Sequence, residues 1–346
     1  MAHFVDEFPG RIIQTENGTA LYFGGTAYLG LQTLPEFQEI YFNNIKKYGT
    51  NYGASRKSNV QFSIYEEVEH YLSKLVGSES CVTLSSGYLA SQLVSRYFSS
   101  EDYTCYHAPQ THTSLLQIKQ QSCQTYDALI EELKKQNNNT TPVILLDSID
   151  FFGINYPDFN DLKSIDLSET ILVVDDSHGL GVLGNQGTGV YSLLKVLNPK
   201  ELIVCGSLGK GFGMQAGAIF GTSKRIELLK NTSFFGGASP ASPASIVTVR
   251  DAEHIYNLQR TKLFKNDQYF SSKLKSSSLF LKAGAHPTYT FMDETLTQFL
   301  LENNIIVTSF NYPDKNSPLM SRIVISAHHT NEDLDCLLSA INSYQK

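Results

Sequence analysis

Cysteine is scarce in this chain, and its spacing suggests no pairing. Cys81, Cys105, Cys123, Cys205 and Cys336 are odd in number, far apart and never arranged as C-x-x-C. That excludes a disulfide framework and a structural zinc site, and it points to a reducing, cytoplasmic location. Excess positive charge is also absent: 27 basic residues against 34 acidic ones leave a net charge of −7. Such a balance argues against a broad footprint for nucleic acid or anionic lipid. No uninterrupted apolar run approaches membrane-spanning length, so no transmembrane segment is expected. The opening MAHFVDEFPGRII has acidic residues where a signal peptide carries positive charge. A soluble, unprocessed chain is the expectation. Low complexity is confined to QNNNTTP, read as a surface loop, and there is no internal repeat.

What is present is a globular composition. The 346 residues are 41% hydrophobic and 18% charged, with 24 glycines and 11 prolines. This is enough for one large α/β domain with a smaller appendage. From about 62 to 175, helical and strand-like segments alternate, the pattern of a mostly parallel sheet covered by helices. Phe62, Tyr65, Val68, Leu72 and Leu75 recur at three- and four-residue steps, and Gly77 supplies the stop. A strand at 81–84 leads through Ser85, Ser86 and Gly87 into another helix, whose N-terminus suits phosphate. Further helices are expected at 111–121 and 127–136. The runs 143–146 and 171–174 lack alternation and read as buried strands, each ending in aspartate. A strand at 201–205 enters GSLGKGFG, and 216–221 resumes a strand pattern before a helix at 223–230. A long helical stretch continues to about 282. Short strands and two helices follow, the last opening with Thr330 and Asp333 as a capping box. The expected domains are an N-terminal arm at 1–50, a large domain at 51–282 and a small α+β domain at 283–346.

The strongest chemical constellation is Asp175, Asp176 and His178 after a buried strand, then Lys210 on a glycine-rich turn. A lysine between glycines has no neighbouring side chain to shield it, and the C-terminal edge of a parallel sheet is where open α/β folds bind ligands. Such a lysine can bond covalently to an aldehyde. A buried carboxylate nearby is what pyridoxal phosphate requires at its ring nitrogen. The spacing of Asp175, Asp176 and His178 matches no zinc pattern, and GSLGKG fails the P-loop pattern because Val204 and Gly211 occupy its required Gly and Ser/Thr places. Taken singly, Lys210 also reads as a loop lysine, His112 and His178 as core histidines, Arg322 as half of a surface ion pair, and Ser85–Tyr88 as a helix cap.

The motifs YLGL at Tyr28, YGASR at Tyr52, SSGYLAS at Ser85, THTSL at Thr111, VVDDSHGLGVLG at Val173, GSLGKGFG at Gly206 and SRIVISAHHT at Ser321 run in order along nearly the whole chain. On these motifs it resembles the α-oxoamine synthases of the fold-type-I pyridoxal-phosphate superfamily, which include 8-amino-7-oxononanoate synthase, 2-amino-3-ketobutyrate CoA ligase and serine palmitoyltransferase. The resemblance implies an aminotransferase-like α/β fold with a large, mostly parallel sheet of the seven-stranded type. It implies Lys210 as the Schiff-base lysine, Asp175 at the pyridinium nitrogen, His178 at the ring phenol oxygen and His112 against the ring face. Ser86, Gly87, Tyr88 and Ser207 would lie at the phosphate end, and Arg322 would take the amino-acid carboxylate. The implied reaction condenses a small amino acid with an acyl-CoA or acyl-carrier thioester, with decarboxylation, in a homodimer. The alternatives are another pyridoxal-phosphate reaction (transamination, racemisation or aldol cleavage) and a cofactor-binding regulatory protein without turnover.

Three segments depart from the family pattern. Thr26 and Ala27 stand where an Asn-containing lead is common. SIDFFGINYPD replaces an FSMDGD-like segment, placing Phe151 and Phe152 where a serine near the cofactor is usual. FFGGASPASP replaces a Ser/Thr-containing stretch that helps complete the partner subunit's site.

Overall fold

The computed structural model describes residues 3–16, 18–116, 122–135, 139–312, 315–317 and 319–344. Two strands, β1 (Ile12–Thr15) and β2 (Gly18–Phe23), precede the run β3 (Ser80–Leu84), β4 (Tyr103–His107), β5 (Thr141–Asp147), β6 (Ile171–Asp175), β7 (Glu201–Ser207) and β8 (Gly217–Gly221). Then come β9 (Leu281–Lys282), β10 (Thr288–Phe291), β11 (Ile305–Asn311) and β12 (Leu319–Val324). The chain forms two compact units: Met1–Gln38 with Phe151–Gly153 and His254–Lys346, and Glu39–Asp150 with Ile154–Glu253. These boundaries differ from the expected 1–50, 51–282 and 283–346. The N-terminal segment belongs with the C-terminal residues because β2 pairs in parallel with β11.

The Glu39–Asp150 and Ile154–Glu253 unit is built on a sheet of order β3-β8-β7-β6-β5-β4. Strands β4 to β7 are mutually parallel, and β8 is antiparallel to both of its neighbours. The sheet therefore has six strands among the described residues, not the expected seven. Every residue of β6 is buried, as its unbroken apolar run requires of a strand covered on both faces. Val82, Leu93, Val143, Val173, Ile203 and Ile219 form part of one cluster beneath the covering helices. The helix Ile64–Val76 ends at Gly77, whose φ of 86° is the left-handed conformation expected of a C-terminal glycine. The helix expected at 111–121 does not form over 111–116, and 117–121 lie outside the described residues. There the Thr111 hydroxyl donates to the Ala108 carbonyl, and the His112 N–H goes to a distant carboxylate, Asp147. Side-chain bonding of this kind competes with helix formation.

The other unit carries a sheet of order β1-β2-β11-β12-β10-β9. Phe23, Phe291, Leu300, Ile323, Leu337 and Ile341 pack in its core. Its last helix, Asn331–Ser343, opens on the expected capping box of Thr330 and Asp333. The long helical stretch expected to reach about 282 ends at Lys273.

The YGASR motif has a structural task in the β3 region. Arg56 donates to both oxygens of Glu69 at 2.7 and 3.1 Å, and Glu69 Oε1 also accepts from the N–H and hydroxyl of Thr83 at 2.8 and 2.7 Å. The guanidinium lies 3.9 Å from the Tyr65 ring centre. Both charged side chains are buried, so removing one leaves the other desolvated and unpaired. Arg56→Met is expected to lower unfolding free energy by about 3–5 kcal/mol in urea denaturation followed by circular dichroism. A change below about 1 kcal/mol would show that the pair behaves as a surface one.

Candidate functional site

The C-terminal ends of β5, β6 and β7 bring the chemistry together. Asp147 and Asp175 are register partners on adjacent parallel strands, so their carboxyl groups stand side by side at the sheet edge. Asp175 is buried and fully engaged. Its Oδ2 accepts from the Ser91 hydroxyl at 3.0 Å and the Ser114 hydroxyl at 3.1 Å, and its Oδ1 accepts from the Ser177 N–H at 2.9 Å. Those serines come from the helix Gly87–Tyr97, the 111–116 loop and the turn after β6. Hydrogen bonds to an ionised acceptor are stronger than neutral ones and fix its orientation.

Asp147 accepts from the His112 N–H at 3.0 Å. Burial first, then the neighbouring Asp175 carboxylate, pushes the Asp147 carboxyl well above the ordinary carboxylate range. Burial and a neighbouring carboxylate both favour the protonated form of Asp147. Burial also lowers the His112 imidazole, against an opposing pull from Asp175, while Lys210 lowers it further. The ring is therefore neutral at pH 7. The Ser114 N–H donates to His112 Nδ1 at 3.1 Å, which puts the ring proton on Nε2. Ser114 Oγ lies 2.7 Å from the same Nδ1, so one hydroxyl proton has both the imidazole and Asp175 as acceptors.

Lys210 lies in the short helix Leu208–Gly211 that follows β7 directly. Its Nζ is 2.8 Å from His178 Nε2. Glycines allow this approach: a Cβ on Gly211 would lie 2.1 Å from the Leu180 carbonyl oxygen. A Cβ on Gly87 would lie 2.6 Å from the Ser207 nitrogen, so the start of the helix Gly87–Tyr97 and the end of β7 abut without side chains between them. Ser86 caps that helix by accepting from the Leu89 N–H at 3.2 Å, and Ser207 caps its own by accepting from the Gly209 N–H at 3.1 Å. Tyr88 is exposed. The first amides of the helix have no partner within it, which makes its end a ready anion site.

Of the expected residues, Lys210, His178, Asp175, His112, Ser86, Gly87, Tyr88 and Ser207 all belong to one unit. Arg322 belongs to the other, on β12. It is half-buried, its Nε is buried without a hydrogen-bond partner, and desolvation lowers its pKa. Ser91, Ser114, Ser177 and Asp147 were not singled out from the sequence, although the serines sit inside SSGYLAS, THTSL and DDSHG and Asp147 closes an apolar strand. The donor set fits pyridoxal phosphate: an amine for its aldehyde, an anchored carboxylate for its ring nitrogen, and a helix N-terminus cleared by Gly87 for its phosphate. Among the described residues no cluster of His, Cys, Asp and Glu suits a metal, and no helix is long and apolar enough to cross a membrane.

Comparison with known proteins bears on family and fold. The model of the family described as aminotransferase class I and II matches residues 27–341. The chain is 27% identical to 8-amino-7-oxononanoate synthase of Lysinibacillus sphaericus, over 94% of this chain and 89% of that protein. It is 26% identical to serine palmitoyltransferase of Sphingobacterium spiritivorum, over 93% and 86%. Among solved structures, serine palmitoyltransferase of Sphingomonas wittichii is similar with a TM-score of 0.83 at 18% identity, covering 99% of this chain and 91% of that one. The expected resemblance and the aminotransferase-like fold are both borne out.

Asp176, beside this set, fastens the turn that carries His178. It is fully buried, accepts from the Ser148 hydroxyl at 2.6 Å and from the Val190 N–H at 2.9 Å, and its carboxyl is pushed up to about 7 by burial. A folded-state value above the unfolded one means that the fold binds this proton more tightly. The associated stability is complete below about pH 4 and is lost as pH rises through about 7. The melting temperature should therefore fall between about pH 6 and pH 8 in the wild type and fall less in Asp176→Asn. Equal slopes in the two proteins would contradict this assignment.

Proposed function

The chain belongs to the aminotransferase class I and II family, and from that premise we propose that it is a pyridoxal-phosphate-dependent acyltransferase. It joins a small amino acid to an acyl-CoA or acyl-carrier thioester. A carbon–carbon bond forms at the amino acid's α-carbon, the thiol leaves, and the carboxylate departs as carbon dioxide to give an α-amino ketone. The names of the relatives, 8-amino-7-oxononanoate synthase and serine palmitoyltransferase, support this reaction class. The observation that carries the reading is Lys210 Nζ at 2.8 Å from His178 on the sheet edge where Ser91, Ser114 and Ser177 anchor Asp175.

When bound, the cofactor supplies an electron sink for negative charge developing at the amino acid's α-carbon. Each residue of the chain has a separate task. Lys210 would hold the cofactor through its aldehyde, and its Nζ would be the base for the amino acid's α-proton. His178 lies beside that amine and would hydrogen-bond the ring's phenol oxygen. Asp175 would keep the ring nitrogen protonated, held in place by its three serine donors. His112, neutral and tethered by Asp147, covers the ring face. Gly87 and Tyr88 offer backbone amides to the phosphate, with the hydroxyls of Ser86 and Ser207 nearby in sequence to those amides and to Lys210. Arg322 receives the amino-acid carboxylate through its planar, bidentate fork.

The chain is read as a cytoplasmic homodimer. Phe42, Val60, Phe62 and Tyr88 are exposed on one unit and would gain from burial against a second copy. No disulfide links the described cysteines, which supports the reading of a reducing compartment.

The test loads the purified protein with pyridoxal phosphate and follows amino-acid consumption, thiol release and carbon dioxide together. All three should appear in equal amounts and only when an acyl donor is present. Lys210→Ala should cut the rate by about 10²–10⁴-fold or more, since both the covalent attachment and the base are lost. Amino-acid turnover without any acyl donor would replace this reading with another pyridoxal-phosphate reaction.

A further inference from the structure

Arg322 is a half-buried cation with an aromatic neighbour where an acidic partner would be usual. Among the described residues no carboxylate forms an ion pair with it, and its Nε is unsatisfied. Its guanidinium carbon lies 4.0 Å from the centre of the Phe151 ring. Phe151 is edge-on to His286 at 5.7 Å, and His286 is in turn edge-on to Tyr28 at 5.1 Å. The stretch Phe151–Gly153 is a three-residue excursion of the chain into this unit. Phe151 takes a φ of 64° to make it, a conformation that bulky side chains rarely adopt. Strain of that kind persists where the surroundings over-determine it, and such residues cluster at ligand sites.

A ring whose face lies against a guanidinium stabilises the charge without accepting from its N–H groups in the way a carboxylate does. The edge stays open to a bidentate acceptor, whereas an acidic partner would occupy it. We propose that Phe151 is the positioning residue for Arg322: its ring fixes the guanidinium plane so that a carboxylate is taken edge-on, and this sets the site's preference for free amino acids over their uncharged derivatives. The inference rests on the reading of Arg322 as the carboxylate receptor. It also gives a task to one of the aromatic residues that replace the family's usual segment.

The experiment uses the pyridoxal-phosphate-loaded protein and the absorbance change of the cofactor on titration with L-alanine and, separately, L-alaninamide. The ratio of the two dissociation constants is the readout. Both ligands meet the same preparation, so partial unfolding of a variant does not move the ratio. The wild type should prefer the carboxylate. Phe151→Leu should reduce that preference by about 10-fold, while Phe151→Tyr, which keeps the ring, should retain it. In steady state Phe151→Leu should raise KM for the amino acid more than it lowers kcat. Phe151→Met serves as the second ring-free variant should the leucine protein not fold. A wild-type preference kept intact in the ring-free variants overturns the inference while leaving the role of Arg322 standing. A wild type that shows no preference overturns that role and the inference with it.

Discussion

A carboxylate held at the end of a parallel strand by three protein donors is the constraint on which the rest of the site depends. Asp175 is buried, and a buried anion is tolerated only where its acceptor capacity is met. Ser91, Ser114 and Ser177 meet it from three separate segments, so the carboxylate ties a helix, a loop and a turn to one point. The charge then governs its neighbours. Asp147, in register beside it, is driven to keep its proton, and His112 stays neutral under burial that outweighs the attraction of Asp175. The result is a carboxyl group fixed in a known place, able to face a cationic ring nitrogen without rearranging.

The second requirement is close approach of backbone to backbone. Lys210 follows its strand with no intervening loop, and the turn it sits on packs against the Leu180 and Gly181 turn at distances that no side chain would permit. Gly87 does the same for the helix N-terminus against Ser207. Gly87, Gly181, Gly206 and Gly211 are therefore contact surfaces between the three turns. Motifs far apart in the chain depend on one another for this reason: changing a residue in one obstructs the seat of another.

Much of the large sheet was legible because its strands carry their own evidence. The unbroken apolar runs before Asp147 and Asp175 read as covered strands, and Lys210 between glycines read as a reactive amine at a sheet edge. Gly77 and the pair Thr330 and Asp333 marked helix ends through local chemistry alone. What was not legible depended on distant partners. The stretch after Thr111 has helical composition, yet its polar groups bond to Ala108 and Asp147. The serines around Asp175 lay in motifs already noted, but hydroxyls from positions 91 and 114 meet only once the sheet is assembled. The joining of residues 151–153 to the C-terminal unit, and with it the approach of the Arg322 guanidinium to the Phe151 ring, has no local signature at all.

The central claim is that Asp175 is the anion that keeps the cofactor's ring nitrogen protonated, and nitrogen-15 NMR of protein loaded with ring-labelled pyridoxal phosphate tests it most directly. The ring nitrogen should give a pyridinium signal at neutral pH in the wild type and a neutral-pyridine signal in Asp175→Asn. A neutral nitrogen in the wild type, or a pyridinium signal that survives the substitution, would contradict it.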